Sequence, residues 1–161
     1  FLILFSVALL VLVLDQLTKI LVSTSLPEGG WWSPFPGLVR VFRVIHITNS
    51  GAAFGIFPNQ GNFFLVIAVI VAAAIVLYYR YLPTGSWLVR VSLGLQLGGA
   101  MGNLIDRMRY GHVVDFVDIG VWPIFNVADV AIVTGVAILA YCLWQEDQAI
   151  ANMALVPADE E

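Results

Sequence analysis

Few side chains in this sequence can do chemistry, and they fall in a handful of short stretches. Asp15 and Lys19 stand four residues apart. Asn103, Asp106 and Arg107 fall within about one helical turn. Asp115 and Asp118 follow soon after, and Asn126 stands three residues before Asp129. The chemistry this set supports best is that of a carboxylate pair. Two carboxylates held close together cannot both ionise easily, so one keeps a proton. The ionised member then activates water while the protonated member polarises a carbonyl, which is aspartic-protease chemistry. Such a pair titrates as a unit.

Other chemistries find weaker support. Ser6, Ser23, Ser25, Ser33, Ser50, Ser86 and Ser92 have no basic partner at an obvious spacing. Cys142 is the one cysteine, so no intrachain disulfide is possible, and its apolar surroundings suit a small buried hydrophobe. His46 and His112 are the two histidines, and neither belongs to an HExxH pattern. His112 with Asp115 supplies two metal ligands, which is too few for a site. No metal and no cofactor is expected.

The elements that must position these groups follow from composition. The chain has 161 residues, 60% of them hydrophobic, and its mean hydropathy is +0.93. Only 11% of residues are charged, against about 25% in an ordinary soluble domain. A soluble fold of this size leaves too much surface exposed to hide so much apolar area. That excludes a soluble enzyme and a disordered chain. The formal charge of -4, with no cluster of Lys and Arg, argues against a nucleic-acid binder. The remaining class is an integral membrane protein, and membrane lipids are among its partners.

About 20 apolar residues cross the hydrocarbon core as a helix. Four stretches qualify, at about Phe1 to Val22, Gly61 to Tyr79, Trp87 to Arg107 and Phe125 to Trp144. The first lacks a small-residue cleavage site and three more follow, so it reads as a span rather than a removed signal peptide. The stretch from Ser23 to Gln60 opens with Pro27, Gly29, Gly30, Pro34, Pro36 and Gly37. It then becomes rich in Val, Ile and Phe from Leu38 to Thr48. This predicts a small sheet at the membrane surface. Leu82 to Gly85 forms a tight turn, Met108 to Ile124 a looser connection, and Asp147 to Glu161 a polar, acidic, mobile tail. No internal repeat appears, so residues 1–161 read as one domain. In an up-and-down bundle, the end of span one, the end of span three and the start of span four reach the same face. The polar groups therefore converge at one depth. Ionisable residues there are costly and mark function by default.

These residues resemble a known family, the bacterial lipoprotein signal peptidases, or signal peptidase II. The likeness covers essentially the whole chain and rests on ordered blocks. Asp15-Gln16-Leu17-Thr18-Lys19 closes span one, and Asn49-Ser50-Gly51-Ala52-Ala53-Phe54-Gly55 precedes span two. Gly98-Gly99-Ala100-Met101-Gly102-Asn103-Leu104-Ile105-Asp106-Arg107 ends span three. Val113-Val114-Asp115-Phe116 and Phe125-Asn126-Val127-Ala128-Asp129 follow. The resemblance implies a membrane aspartic endopeptidase that removes the signal peptide from diacylglyceryl-modified prolipoproteins, cutting before the lipidated cysteine. It implies Asp115 and Asp129 as the catalytic pair and globomycin as an inhibitor. It implies four transmembrane helices with a small extracytoplasmic β-sheet and a short interfacial helix. The implied location is the bacterial inner membrane, with both termini cytoplasmic and the active site near the extracytoplasmic face. Arg80 and Arg90, bracketing the second link, suit that orientation. Lys19, Arg40, Arg43, Arg107 and Arg109 fall on the outer side and run against a simple positive-inside count. Those residues then need local tasks.

Each candidate also has a plain structural reading. Asp129 could be a helix-start carboxylate favoured by the dipole, and Asp115 a loop aspartate. Asp118 is expected to be solvated or structural. Asn126 could orient Asp129 or cap the fourth helix. Asn103, Arg107 and Asn49 are expected to support the site or bind substrate, with Arg107 pairing with Asp106 or a headgroup phosphate. Asp15 and Lys19, like Asp106, read as structural, with the first two pairing to hold the sheet against span one. Gly94, Gly98, Gly99 and Gly102 allow either close helix packing or room for a substrate helix or acyl chain. Trp31, Trp32, Trp87 and Trp122 suit interfacial anchoring. Two rival classes are a small ion-coupled carrier and a non-catalytic assembly subunit. The first would want polar groups lining a route across the membrane, and the second leaves Asp115 and Asp129 unexplained.

Overall fold

The computed structural model describes residues 1–35, 37, 39–51, 61–79 and 86–154. Ala52 to Gly55 of the second block, Arg80, the turn from Leu82 to Gly85 and the last seven residues, 155–161, lie outside them.

In chain order the elements are helix α1 (Leu2–Ser25), strands β1 (Trp31–Trp32) and β2 (Arg43–Asn49), and helices α2 (Gly61–Tyr78) and α3 (Trp87–Tyr110). Strand β3 (Val113–Asp118) and helix α4 (Val127–Ala154) complete the order. Helices α1, α3 and α4 are long and apolar enough to cross a membrane, and α2 is a shorter apolar helix. Helix α4 runs ten residues past the expected end at Trp144. Gln145, Glu146 and Gln148 are good helix formers, and the next proline is Pro157, so nothing stops the helix earlier. At about 1.5 Å per residue, α4 reaches roughly 42 Å, longer than the hydrocarbon core.

Spacing in α1 decides which face turns inward. Leu4, Ala8, Val11, Asp15, Lys19 and Val22 are its buried residues, three or four apart and hence on one stripe. Leu9, Leu10, Leu17 and Leu21 on the other side are about 60% exposed, as suits a lipid-facing surface. Helix α3 packs against all three other helices. Its small residues make this possible. A Cβ on Gly99 would come within 2.5 Å of the Ala128 carbonyl oxygen in α4. A Cβ on Gly94 or Gly98 would likewise meet the Leu4 or Ala8 carbonyl oxygen of α1, and one on Gly102 the Asp15 side chain, so these positions serve close packing. An apolar core of Leu4, Ala8, Ile75, Val89, Leu93, Leu97 and Cys142 occupies the end of the bundle where α1 and α3 begin. The buried polar groups Asp15, Lys19, Asn103 and Asp106 gather at the other end.

The sheet differs from expectation. Its order is β1-β2-β3, all antiparallel, so it draws a strand from the connection between α3 and α4. Residues 23–60 alone do not form it. The sequence Val113-Val114-Asp115-Phe116-Val117 carries the β-branched and aromatic content of a strand. The register pairs Ile47 with Asp115 and Arg43 with Asp118, with a bulge between Val44 and Ile47. Trp31, Trp32, Trp87 and Trp122 are all exposed.

Candidate active site

Three local features bring Asp115 and Asp129 together. Helix α3 ends at Gly111, whose φ of 77° is open to glycine, and its N–H caps the Arg107 carbonyl. The chain turns there and enters β3. After β3 it folds back, and Phe125 bonds to Val117 in both directions, at 2.8 and 3.1 Å. That bridge delivers Asn126 to the side of Asp115. Helix α4 then starts with a reciprocal cap. The Asp129 N–H donates to Asn126 Oδ1 at 3.0 Å, and the Asn126 N–H donates to Asp129 Oδ2 at 3.2 Å.

Three asparagines hold the two carboxylates. Asp115 Oδ1 accepts from Asn126 Nδ2 at 2.7 Å, and Asp115 Oδ2 accepts from Asn49 Nδ2 at 2.8 Å. Asn49 reaches it because Ile47, directly opposite Asp115, lies two residues away on the same face of the sheet. Asp129 Oδ1 accepts from Asn103 Nδ2 at 2.9 Å. Asn103 Oδ1 in turn accepts from Lys19 Nζ at 2.9 Å and Asn126 Nδ2 at 3.2 Å. Donors on one side and a carboxylate on the other fix the orientation of that amide. Asn126 therefore caps α4 and bonds to both carboxylates at once, so its two expected roles coincide.

Asp115 is 4% exposed. Burial lifts its carboxyl well above the ordinary carboxylate range, to a pKa of about 6. The amide of Asn49 opposes this shift and the negative charge of Asp129 reinforces it. Arg107 lies in the field of Asp129 and Asp115. Its Nη1 donates to the Asn103 carbonyl and its Nη2 to the Gly51 carbonyl, each at 3.4 Å, and its guanidinium sits 5.6 Å from the centre of the Phe64 ring. Of the two partners expected for Arg107, Asp106 is not one it meets. Successive helix residues point about 100° apart, and Asp106 faces α1 instead.

Lys19 sits 2.8 Å from both Asp15 and Asp106. The pairing of Asp15 with Lys19 is as expected, but their partners lie on α3 and α4 rather than directly on the sheet. Asp118 sits apart. Its odd spacing from Asp115 in β3 sends it to the other face, where Arg43 Nε donates to it at 2.6 Å. Burial works against its ionisation, yet the Gly120 N–H and Arg43 outweigh that and hold the carboxyl below the usual range. It is thus structural and buried, not solvated. His46 Nδ1 lies 2.9 Å from the Leu26 carbonyl, and His112 stacks on Tyr110. Gln16 was not anticipated. Its Nε2 donates to Asp106 at 2.8 Å, and no periodicity singles out a residue lying beside Asp15 rather than in line with it.

This arrangement can be set against known proteins. The sequence profile of Signal peptidase (SPase) II matches residues 7–145. A lipoprotein signal peptidase of Moorella thermoacetica is 46% identical over 96% of this chain and 93% of its own length. One from Halothermothrix orenii is 44% identical over 88% of this chain and 95% of its own. A solved structure described as a bacterial membrane enzyme superposes with a TM-score of 0.84 at 28% identity, covering 98% of this chain and 93% of that one. A second gives 0.77 at 31% identity, covering 87% and 91%. With a buried carboxylate and a partly buried one joined through asparagines at the head of a membrane bundle, and kinship along nearly its whole length, the chain belongs to the signal peptidase II family, whose members are membrane aspartic endopeptidases.

Proposed function

We propose that Asp115 and Asp129 are the catalytic dyad of this peptidase, and that it removes the signal peptide from diacylglyceryl-modified prolipoproteins by cutting before the lipidated cysteine. The observation that carries the reading is the single side chain of Asn126, which bonds to Asp115 and caps the helix bearing Asp129. A buried carboxyl lifted to about 6 supplies the proton that such a pair shares.

The reaction needs no covalent intermediate. The ionised carboxylate takes a proton from water as the water oxygen bonds to the scissile carbonyl carbon. The protonated carboxyl donates to the developing oxyanion. As the C–N bond breaks, the dyad passes a proton to the leaving amine. The signal peptide keeps the new carboxylate and the lipidated cysteine the amine. Asn49, Asn103 and Asn126 hold the carboxylates, and Arg107 provides positive charge nearby. Diacylglycerol chains set the depth of the cysteine in the membrane, so remote binding energy serves positioning.

The finer topology belongs to the same reading. Helix α2, at about 27 Å, is close to the thickness of the hydrocarbon core and makes a fourth span. Both termini then face the cytoplasm of a bacterial inner membrane, and the sheet and dyad lie near the extracytoplasmic face. Residues 1–161 form one peptidase domain, and globomycin is expected to block it.

The test is cleavage of a diacylglyceryl-modified prolipoprotein by purified protein in detergent, with EDTA present and the unlipidated precursor as control. Lipid-dependent cleavage that vanishes in both Asp115→Asn and Asp129→Asn supports the dyad. Full activity in either folded variant overturns it.

A further inference from the structure

We propose that Asp15, Lys19 and Asp106 are positioning residues that set the separation and orientation of Asp115 and Asp129. The proposal rests on the dyad reading above. Two backbone contacts carry it. Asp15 Oδ1 accepts from the Ala128 N–H at 3.0 Å, and Ala128 immediately precedes Asp129. Asp106 Oδ2 accepts from the Val114 N–H at 3.3 Å, and Val114 immediately precedes Asp115. Each carboxylate of the triad thus grips the peptide next to one member of the dyad.

Lys19 joins the two grips. Its ammonium lies 2.8 Å from Asp15 Oδ2 and 2.8 Å from Asp106 Oδ2. The third donor goes to Asn103 Oδ1 at 2.9 Å, and Asn103 Nδ2 holds Asp129 Oδ1 at 2.9 Å. A lysine has three N–H donors, and all three are used. Gln16 Nε2 adds a brace, to Asp106 Oδ1 at 2.8 Å and Asp15 Oδ2 at 3.3 Å. Asp15 also satisfies one of the backbone donors that the first turn of α4 leaves open. It does so from another helix, which ties the start of α4 to α1. The fit is close, since a Cβ on Gly102 would collide with the Asp15 carboxylate.

A plain stability role explains less. Buried ion clusters often add little stability compared with apolar packing of the same volume. Stability alone gives no reason for the two carboxylates to end on the residues flanking the dyad. Nor is Lys19 placed to meet substrate at the dyad. The cavity of about 410 Å³ that reaches Gln16, Lys19 and Asp106 is lined by neither Asp115 nor Asp129.

The test uses the full chain in detergent with the lipidated prolipoprotein, comparing wild type, Asp15→Asn, Asp106→Asn and Lys19→Arg. The carboxamides keep an acceptor oxygen for the backbone N–H but lose the ionic tie. Arginine keeps the charge but cannot converge three donors from one nitrogen. Folding is scored by monodispersity and thermal midpoint, and kcat is expressed per folded molecule. The expected result is a kcat lowered at least about tenfold, with KM within about twofold of wild type, the signature of a misplaced reacting group. Wild-type kcat in the folded variants overturns the proposal, as does a loss carried by KM alone. Failure of all three variants to fold overturns it too, because the triad then serves the fold. Asp115→Asn and Asp129→Asn run beside them. Activity in either sinks the dyad reading, whereas dead dyad variants with active triad variants sink only the positioning role.

Discussion

Asn126 Nδ2 lies 2.7 Å from Asp115 Oδ1, and the same side chain caps the helix that carries Asp129. One residue therefore serves both the fold of α4 and the geometry of the proposed dyad, and two substitutions separate those duties. Aspartate is as good an N-cap as asparagine, whereas alanine costs about 1 kcal/mol. Asn126→Asp keeps the cap but replaces the donor to Asp115 with a second negative charge. Because Asn126 is fully buried, this variant is expected to keep the thermal midpoint near wild type only at acid pH, where the new carboxyl is neutral, to lower it at pH 7, and to lose at least about tenfold in kcat. Asn126→Ala loses both. Thermal unfolding beside a cleavage assay distinguishes them, and an Asn126→Asp enzyme with normal kcat would remove Asn126 from the site.

Asp118 provides the opposite case. It lies on the other face of β3 from Asp115, paired with an Arg43 side chain that is 37% exposed. Asp118→Asn is expected to hold kcat within about threefold of wild type and to cost no more than about 1 kcal/mol, because Arg43 is partly exposed and the amide oxygen still accepts from the Gly120 N–H. A hundredfold loss of kcat in folded protein would mean that Asp118, not Asp115, had been misplaced in the mechanism.

Much of this was legible in the sequence, and the reasons are particular. Asp15 and Lys19 announce their shared face because helical spacing is local. The clustering of Asn103, Asp106, Asp115 and Asp129 at one end follows from four apolar stretches laid up and down. What local rules could not supply was the third strand. Val113 to Asp118 has strand-like composition, but its partner β2 lies some 70 positions earlier, and pairing over that distance leaves no periodic mark. Asp115 consequently looked like a loop residue. The same limit hid the hands that Asp15 and Asp106 lend to Ala128 and Val114, because backbone N–H groups carry no sequence signature.

Close helix packing predicts a steric result at Gly99. A Cβ there meets the Ala128 carbonyl oxygen at 2.5 Å, one residue before Asp129. Gly99→Ala must push the start of α4 outward, at a cost of about 1–3 kcal/mol for overpacking, and is expected to lower kcat in the protein that still folds. Gly111→Ala serves as a contrast. It has open space around it and suffers only from its positive φ, a strain of about 1–2 kcal/mol. Lower stability with near-normal kcat is expected there. Equal kcat losses in the two variants would detach the α3–α4 contact from catalysis.

The raised carboxyl of Asp115 makes a prediction with a definite sign. Its pKa moves from the ordinary value of 3.8 to about 6 because burial disfavours the charge. Below about 3.8 the carboxyl is protonated in both folded and unfolded chains and contributes nothing to the balance. As pH rises toward 6 the unfolded chain loses the proton first, so stability falls, by about 3 kcal/mol once pH exceeds 6. Asp115→Asn removes that loss, so its stability relative to wild type should improve from pH 4 to pH 7. If Asp115 and Asp129 are the dyad as proposed, catalysis needs the same proton, so the basic limb of kcat/KM in the free enzyme is expected near pH 6. Asn49 holds the ionised form through its 2.8 Å bond, so Asn49→Ala raises the carboxyl further and shifts that limb to higher pH. A limb that stays in place, or moves down, would show that the proton lost there does not belong to the pair containing Asp115.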